Sequence, residues 1–201
     1  LVSGDLRNHP VGLLLEGLLP ELRAQGWWLA AYSSRPGRPG DPVAARLQAQ
    51  VDRWVDIAPL EDADAARLIR EDRIDVLLDL SGHTGHNRLG VFAFKPAPTQ
   101  ATWLGYGDGT GLAAMDALVS DAVSTPPGVE DQYVEEIVRL PFPRQPYTPP
   151  TDAPAVSELV LATMPRARRK FRHCPSPMMW LCAPLMFSSL APRSSFRAVL
   201  A

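Results

Sequence analysis

Ile74–Gly111 reads IDVLLDLSGHTGHNRLGVFAFKPAPTQATWLGYGDGTG. Its opening, Ile74–Leu80, is an almost unbroken run of Ile, Val and Leu with only Asp75 and Asp79 inside it. That is the pattern of a parallel strand covered on both faces. The run stops at Ser81–Asn87, which is small and polar and carries His83 and His86. Leu89–Phe94 follows as a short amphipathic piece. Lys95-Pro96-Ala97-Pro98 then rules out helix, because proline lacks an N–H and pushes its predecessor into extended backbone. Gln100–Leu104 reads as a second short strand that runs into Gly105-Tyr106-Gly107-Asp108-Gly109-Thr110-Gly111. Two adjacent strands thus each end in a polar loop with glycine, and in open α/β sheets ligands bind beyond the carboxyl ends of strands.

The flanking sequence repeats the alternation. Leu1-Val2-Ser3 reads as the end of a strand, so the chain is expected to be a fragment cut inside or just before its first strand. Pro10 suits the first turn of a helix, where its missing N–H costs nothing. The Leu-rich run after it suits a buried helix, broken or kinked at Pro20. Trp27–Ser33 reads as a strand, Ser34–Asp41 as a Pro/Gly loop, Pro42–Gln50 as a helix and Val51–Ile57 as a short strand. Leu60–Asp72 has acids early and Arg67 and Arg70 late, which complements a helix dipole. Beyond the glycine loop, Met115–Ser120 and Glu136–Leu140 read as strands, with a helical turn at Glu130–Glu135. Strands alternating with helices and no hairpin signals predict an α/β fold, a Rossmann-like parallel sheet with helices on both faces. The expected division is a lobe over 1–140, a Pro-rich linker over 141–160 and an irregular basic tail over 161–201.

Bulk composition narrows the function classes. The chain has 201 residues, 46% of them apolar and 21% charged, ordinary for a soluble globular protein. All 22 acidic residues lie at or before Glu158, and only 7 of the 20 Lys and Arg lie beyond residue 160. An acidic body argues against nucleic acid as a partner. Cys174 and Cys182 both fall in the tail, so no disulfide framework or zinc site is expected in the body. No apolar run approaches the roughly 20 residues that span a bilayer. Without a basic segment and an apolar stretch at the N-terminus, a cytoplasmic location is the expectation. No G-x-G-x-x-G follows the first strand, which argues against a nicotinamide or flavin cofactor. His83 and His86 lack a third ligand at matching spacing, so no metal is expected.

Two motifs carry a specific resemblance. SGHTGHNRLGVFAFKPAPTQATWLGYGDGTG is similar to the signature region of the O-linked GlcNAc transferase and Spindly family in its bacterial form, above all in its PAP-x-Q-x-x-W-LGY run. Ser3–Pro10 resembles the family's S-x-D-x-x-N-H-P motif, in which Asp5, Asn8 and His9 match the active-site Asp, Asn and His. Read without the family, His9 has two readings: a helix-entry residue bonded to a nearby carbonyl, or an imidazole placed where orphan N–H groups favour an anion. The family's glycine loop is usually G-Y-x-x-T-x-G, and Tyr106, Gly107, Gly109 and Thr110 occupy it here. Asp108 is a departure whose charge argues against phosphate contact at that point. Trp103 and Phe92 read as core.

The resemblance covers roughly residues 1–155 and implies the N-terminal lobe of a GT-B glycosyltransferase. Such an enzyme transfers a sugar from a nucleotide-sugar donor, UDP-GlcNAc or less commonly GDP-fucose, to Ser or Thr hydroxyls of proteins, with inversion and without a required metal or cofactor. It implies catalytic roles for His9 and Asp5 and substrate binding by Asn8, His83, Tyr106, Gly107, Gly109 and Thr110. Upstream tetratricopeptide repeats that gather acceptors are expected in the full-length protein. The alternative is an inactive remnant lobe without the donor-binding half, serving at most as a binding module. A nucleotide-sugar epimerase would share the two-lobe architecture but lacks these motifs.

The tail has two readings. It is either a functional basic segment or the product of a shifted reading frame. Pro177-Met178-Met179-Trp180-Leu181 allows few codon series, and moving them by two bases gives Asn, Asp, His or Tyr, then Asp-Val, then Ala or Val. That resembles the acidic-aliphatic helix start the family carries in its donor-binding region. Sequencing the gene is expected to show a frame change after about residue 160; tail peptides recovered from the native protein would refute it.

Overall fold

The computed structural model describes residues 1–149. In chain order the elements are β1 (Val2–Ser3), α1 (Pro10–Ala24), β2 (Ala30–Ser33), α2 (Pro42–Ala49), β3 (Arg53–Asp56), α3 (Asp62–Glu71) and β4 (Val76–Asp79). There follow α4 (Leu89–Ala93), β5 (Thr99–Thr102), β6 (Ala117–Asp121), a 3₁₀ turn at Glu130–Gln132 and β7 (Glu136–Leu140). The seven strands form one sheet in the order β3-β2-β1-β4-β5-β6-β7, every pair parallel. The expected fold class is therefore the observed one. The linker reading beyond residue 149 and both readings of the tail lie outside the described residues.

Strand alternation builds two cores. Ala31 and Leu78 face one side, with Leu15, Leu19 and Leu22 of α1 and Val43 and Leu47 of α2. Their neighbours Ala30, Tyr32 and Leu77 face the other, with Ala65, Ala66 and Ile69 of α3 and Val91 and Phe92 of α4. Successive side chains of a strand point to opposite faces, so β2 and β4 feed both layers. Helix α1 runs on to Ala24 instead of breaking at Pro20. Pro20 lies on the exposed face, while the buried stripe on either side of it, Leu15, Leu19 and Leu22, keeps its anchorage. Strand β2 starts at Ala30, not at Trp27, because Trp27 N–H bonds back to the carbonyl of Leu22 at 3.1 Å and so belongs to the helix exit.

The sheet changes direction of growth at β1, which pairs with β2 on one side and β4 on the other. This is the switch point where doubly wound sheets open a crevice. Beside it, the turn after β4 packs backbone against backbone with the turn after β5: a Cβ on Gly105 would lie 1.9 Å from the Leu80 carbonyl oxygen. The buried carboxylate of Asp79 fixes both turns. It accepts the N–H groups of Ser81 at 3.1 Å and Gly82 at 2.8 Å and the hydroxyl of Thr102 at 2.8 Å. Burial nonetheless pushes its pKa upward, against the opposing pull of those donors.

The run PAP-x-Q-x-x-W is scaffold. Gln100 is fully buried and its side-chain amide donates to the carbonyls of Phe92 at 3.0 Å and Ala114 at 2.9 Å. The Trp103 indole N–H donates to the Arg144 carbonyl at 2.8 Å. Trp103 and Phe92 are core residues, as expected. Arg88 holds the far end of the β4 loop, donating to Asp62 at 2.6 Å and to the carbonyls of Ile57 at 2.8 Å and Leu60 at 2.7 Å.

Two measurements check this arrangement. Gly105→Ala is expected to destabilise the chain by at least about 2 kcal/mol, since backbone and not a flexible side chain must yield; denaturant unfolding at neutral pH reads it. A carboxyl whose folded pKa stands above the ordinary 3.8 makes a contribution that is present below that value and lost as pH rises through the folded value. Wild-type stability relative to Asp79→Asn is therefore expected to fall as pH is raised from acid towards neutral, and a constant difference across that range would contradict the buried-carboxyl account.

Candidate active site

Because β1, β4 and β5 are neighbouring and parallel, the loops that leave their carboxyl ends lie side by side on one rim. The contacts between them are direct. Ser3 Oγ and Ser81 Oγ are 3.1 Å apart. Ser34 Oγ, following β2, donates to the His86 carbonyl at 2.7 Å. A Cβ on Gly4 would come within 2.8 Å of the His86 Cβ, and one on Gly82 within 2.3 Å of the Tyr106 Cβ. Gly82 adopts φ +52 and His86 φ +61, so the β4 loop uses the left-handed region twice, at His86 without the freedom of glycine.

The turn Asp5–His9 enters α1 with its side chains locked. Asp5 is nearly buried, receives Arg7 Nε at 3.3 Å and Nη2 at 3.2 Å on Oδ1, and has its own N–H on Ser3 Oγ at 3.0 Å. His9 is the N-cap of α1: its Nδ1 accepts the Val11 N–H at 3.3 Å. An amide N–H can only donate, so the neutral imidazole carries its proton on Nε2. The Asp5 Oδ2 stands 3.8 Å from the same Nδ1, outside hydrogen-bond range. The Asn8 N–H donates to both oxygens of Asp41, at 3.2 and 3.0 Å. Asp41 also caps α2 through the N–H groups of Val43 at 2.9 Å and Ala44 at 3.0 Å. With the Asn8 bond foremost, these donors hold the Asp41 carboxyl below its usual pKa, against the opposing effect of desolvation.

The second histidine has the same tautomer but leaves its other nitrogen free. His83 Nε2 lies 3.0 Å from the Thr110 carbonyl oxygen; a carbonyl only accepts, so Nε2 donates and Nδ1 of the neutral ring keeps its lone pair. His83 also meets Tyr106 edge to face, with centroids 5.4 Å apart. Thr110 is itself held by Glu135, whose buried Oε1 accepts the Thr110 N–H at 2.6 Å and also its hydroxyl. The other oxygen, Glu135 Oε2, is buried without a partner among the described residues, and a Cβ on Gly109 would approach it to 2.8 Å. Arg144 Nη1 donates to the Tyr106 carbonyl at 3.0 Å, and its N–H donates to Asp121 Oδ2 at 2.7 Å. Burial would raise the Asp121 pKa, but that N–H and those of Ser124 and Val123 outweigh it and lower the value.

The structure thus brings the turn bearing Asp5, Asn8 and His9 and the loops bearing His83, Tyr106, Gly107, Gly109 and Thr110 to the same edge of the sheet. Sequence reasoning missed Asp79, Glu135, Ser34 and Arg144, which brace these loops. Asp79 was legible as an acid in an otherwise apolar strand. Glu135 and Arg144 carry no local signal, since their partners lie 25 and 38 residues away in sequence. Among the described residues no group of three or more His, Cys, Asp or Glu side chains could hold a metal ion, and no helix is long and apolar enough to cross a membrane.

Comparison with known proteins agrees with this architecture. The sequence model of glycosyl transferase family 41 matches residues 1–143. A relative from Hordeum vulgare, "Probable UDP-N-acetylglucosamine--peptide N-acetylglucosaminyltransferase SPINDLY", is 44% identical over 156 residues, which cover 76% of this chain and 16% of the relative. Its namesake from Petunia hybrida is 42% identical over 160 residues, 78% of this chain and 17% of the relative. A solved structure of a mutant O-GlcNAc transferase from Thermobaculum terrenum superposes with a TM-score of 0.73 at 44% identity, covering 78% of this chain and 30% of that one. The chain spans about a sixth of the length of these curated relatives. Its seven-stranded parallel sheet matches that transferase structure, its motif-bearing loops share one rim, and the family's sequence model covers nearly all of the described residues: the chain belongs to glycosyl transferase family 41.

Proposed function

We propose that this chain is the N-terminal lobe of a cytoplasmic two-lobe glycosyltransferase that moves a sugar from a nucleotide-sugar, UDP-GlcNAc in preference to GDP-fucose, to Ser or Thr hydroxyls of proteins. The observation that carries the reading is the capping bond of His9. By fixing the neutral ring with its proton on Nε2, it makes His9 a hydrogen-bond donor and not a base. In the transfer, the acceptor oxygen bonds to the anomeric carbon as the bond from that carbon to the diphosphate oxygen breaks. Negative charge grows on the leaving diphosphate while the acceptor hydroxyl gives up its proton. A neutral imidazole N–H at the entrance to a helix is suited to hold a sugar–phosphate oxygen through that change.

Asp5 orients that ring or relays the proton, its Oδ2 being the oxygen that Arg7 leaves free. Asn8 contributes its side chain to the acceptor, since its backbone N–H is committed to Asp41. His83 offers the unprotonated Nδ1 as an acceptor for a hydroxyl, and Tyr106, Gly107, Gly109 and Thr110 line the same cleft. The names of the relatives support a nucleotide-sugar donor and a peptide acceptor.

Radiolabelled transfer from UDP-GlcNAc and from GDP-fucose, with this chain and with a frame-restored version of its gene, tests the proposal. Transfer by the restored protein is expected, and transfer by neither version would end the enzyme reading. In an active form, His9→Ala is expected to lower kcat by about a hundredfold, the usual loss for one oriented donor, with KM little changed. His9→Gln, which keeps an N–H donor, is expected to recover part of it. Equal rates for the wild type and the alanine variant would exclude His9 from the reaction.

A further inference from the structure

Next to the Asp5–His9 turn, at the carboxyl ends of β1, β2 and β3, lies an open cavity of about 490 Å³. Its walls include Leu6, Pro36 and Trp54, together with Arg35 and Arg38. Among the described residues neither arginine has an ion-pair partner, and Arg35 Nε is buried without a hydrogen-bond partner. This is not for want of carboxylates, because the body of the chain carries more acids than bases. The two acids in the cavity wall, Asp41 and Asp56, are already taken up by backbone: Asp41 by Asn8, Val43 and Ala44, and Asp56 by the N–H of Ala58 at 2.9 Å. Arg7 reaches the same wall but is held by Asp5.

A buried guanidinium N–H without an acceptor has given up its hydrogen bond to water and gained none in return. A planar guanidinium is also the donor best matched to a carboxylate, through two parallel N–H···O bonds. The cavity therefore asks for an acidic head on an apolar stem, the chemistry of a glutamate or aspartate side chain in an extended peptide. Gly4 and Arg7 line it, which places it against the turn that carries Asp5 and His9. We propose that this cavity is a docking site for an acidic side chain of the acceptor protein, one that sits a short, fixed distance along the peptide from the hydroxyl to be modified. The link to an acceptor hydroxyl rests on the transferase reading above; the preference for an acidic peptide does not.

The test is binding, without donor sugar, on the 201-residue chain. Fluorescein-labelled peptides with a central serine in an alanine background carry a single Glu moved stepwise through the flanking positions, each with a Gln counterpart, and anisotropy reads the affinity. At one or two positions Glu is expected to bind about tenfold more tightly than Gln, which is about 1.4 kcal/mol. That preference is expected to vanish in R35Q/R38Q and to weaken in R38Q, whose side chain belongs to an exposed loop residue; circular dichroism and the unfolding midpoint are expected to match the wild type in both. A Glu preference that is the same at every position, that survives in R35Q/R38Q, or that inorganic phosphate abolishes at the concentration of the peptide would each overturn the proposal. A positional Glu preference in a chain that never transfers sugar would leave the docking site standing and remove only its link to transfer.

Discussion

Val2 carries the arrangement of the rim. The strand it belongs to has two residues, yet it lies inside the sheet between β2 and β4. Tyr32 N–H donates to the Leu1 carbonyl at 2.8 Å on one side, and Leu80 N–H donates to the Val2 carbonyl at 3.0 Å on the other. Because Val2 sits level with both Tyr32 and Asp79, the loops after β1, β2 and β4 leave the sheet at the same height. A slip of one residue would turn every side chain of β1 to the opposite face. It would also part Ser3 from Ser81 and Gly4 from His86. The meeting of the Asp5–His9 turn with the histidine loop follows from this register, not from any attraction between the loops.

Much of the fold could be read in the sequence because it is written in local patterns. The apolar run of β4, the prolines at 96 and 98 and the acidic start of α3 each force one conformation over a few residues. The strand expected at Glu136–Leu140 has those bounds in the structure. Pro20 misled because its effect depends on context: a proline on the solvent face of a helix whose buried stripe continues beyond it removes one hydrogen bond without releasing the packing. The loop residues of the candidate site were legible through motif likeness, but what holds them was not. Glu135 beneath Thr110 and Arg144 against Tyr106 are pairings across long stretches of chain, and no periodicity records such a partner.

The two histidines of the rim show how backbone chemistry assigns side-chain roles. Both are neutral-ring donors or acceptors by the company they keep. A helix N–H takes the lone pair of His9 at Nδ1, and a loop carbonyl takes the proton of His83 at Nε2. One ring is left offering a hydrogen and the other a lone pair. Residues of one type thus acquire complementary chemistry without any neighbouring charge being decisive. The motif glutamine and tryptophan, by contrast, are turned inward and serve the sheet.

Asp41 belongs to two structures at once, closing the first turn of α2 and clasping the amide of Asn8. The segment 35–40 that leads to it bridges no strands of its own, and the sheet would survive its lengthening or shortening. The Asn8–His9 turn would not keep its pose, because its clasp would travel with the loop. The spacing between Ser34 and Asp41 is therefore a dimension of the candidate site held in a stretch that looks dispensable, and grafting that loop between relatives would carry the pose of the Asn8–His9 turn along with it.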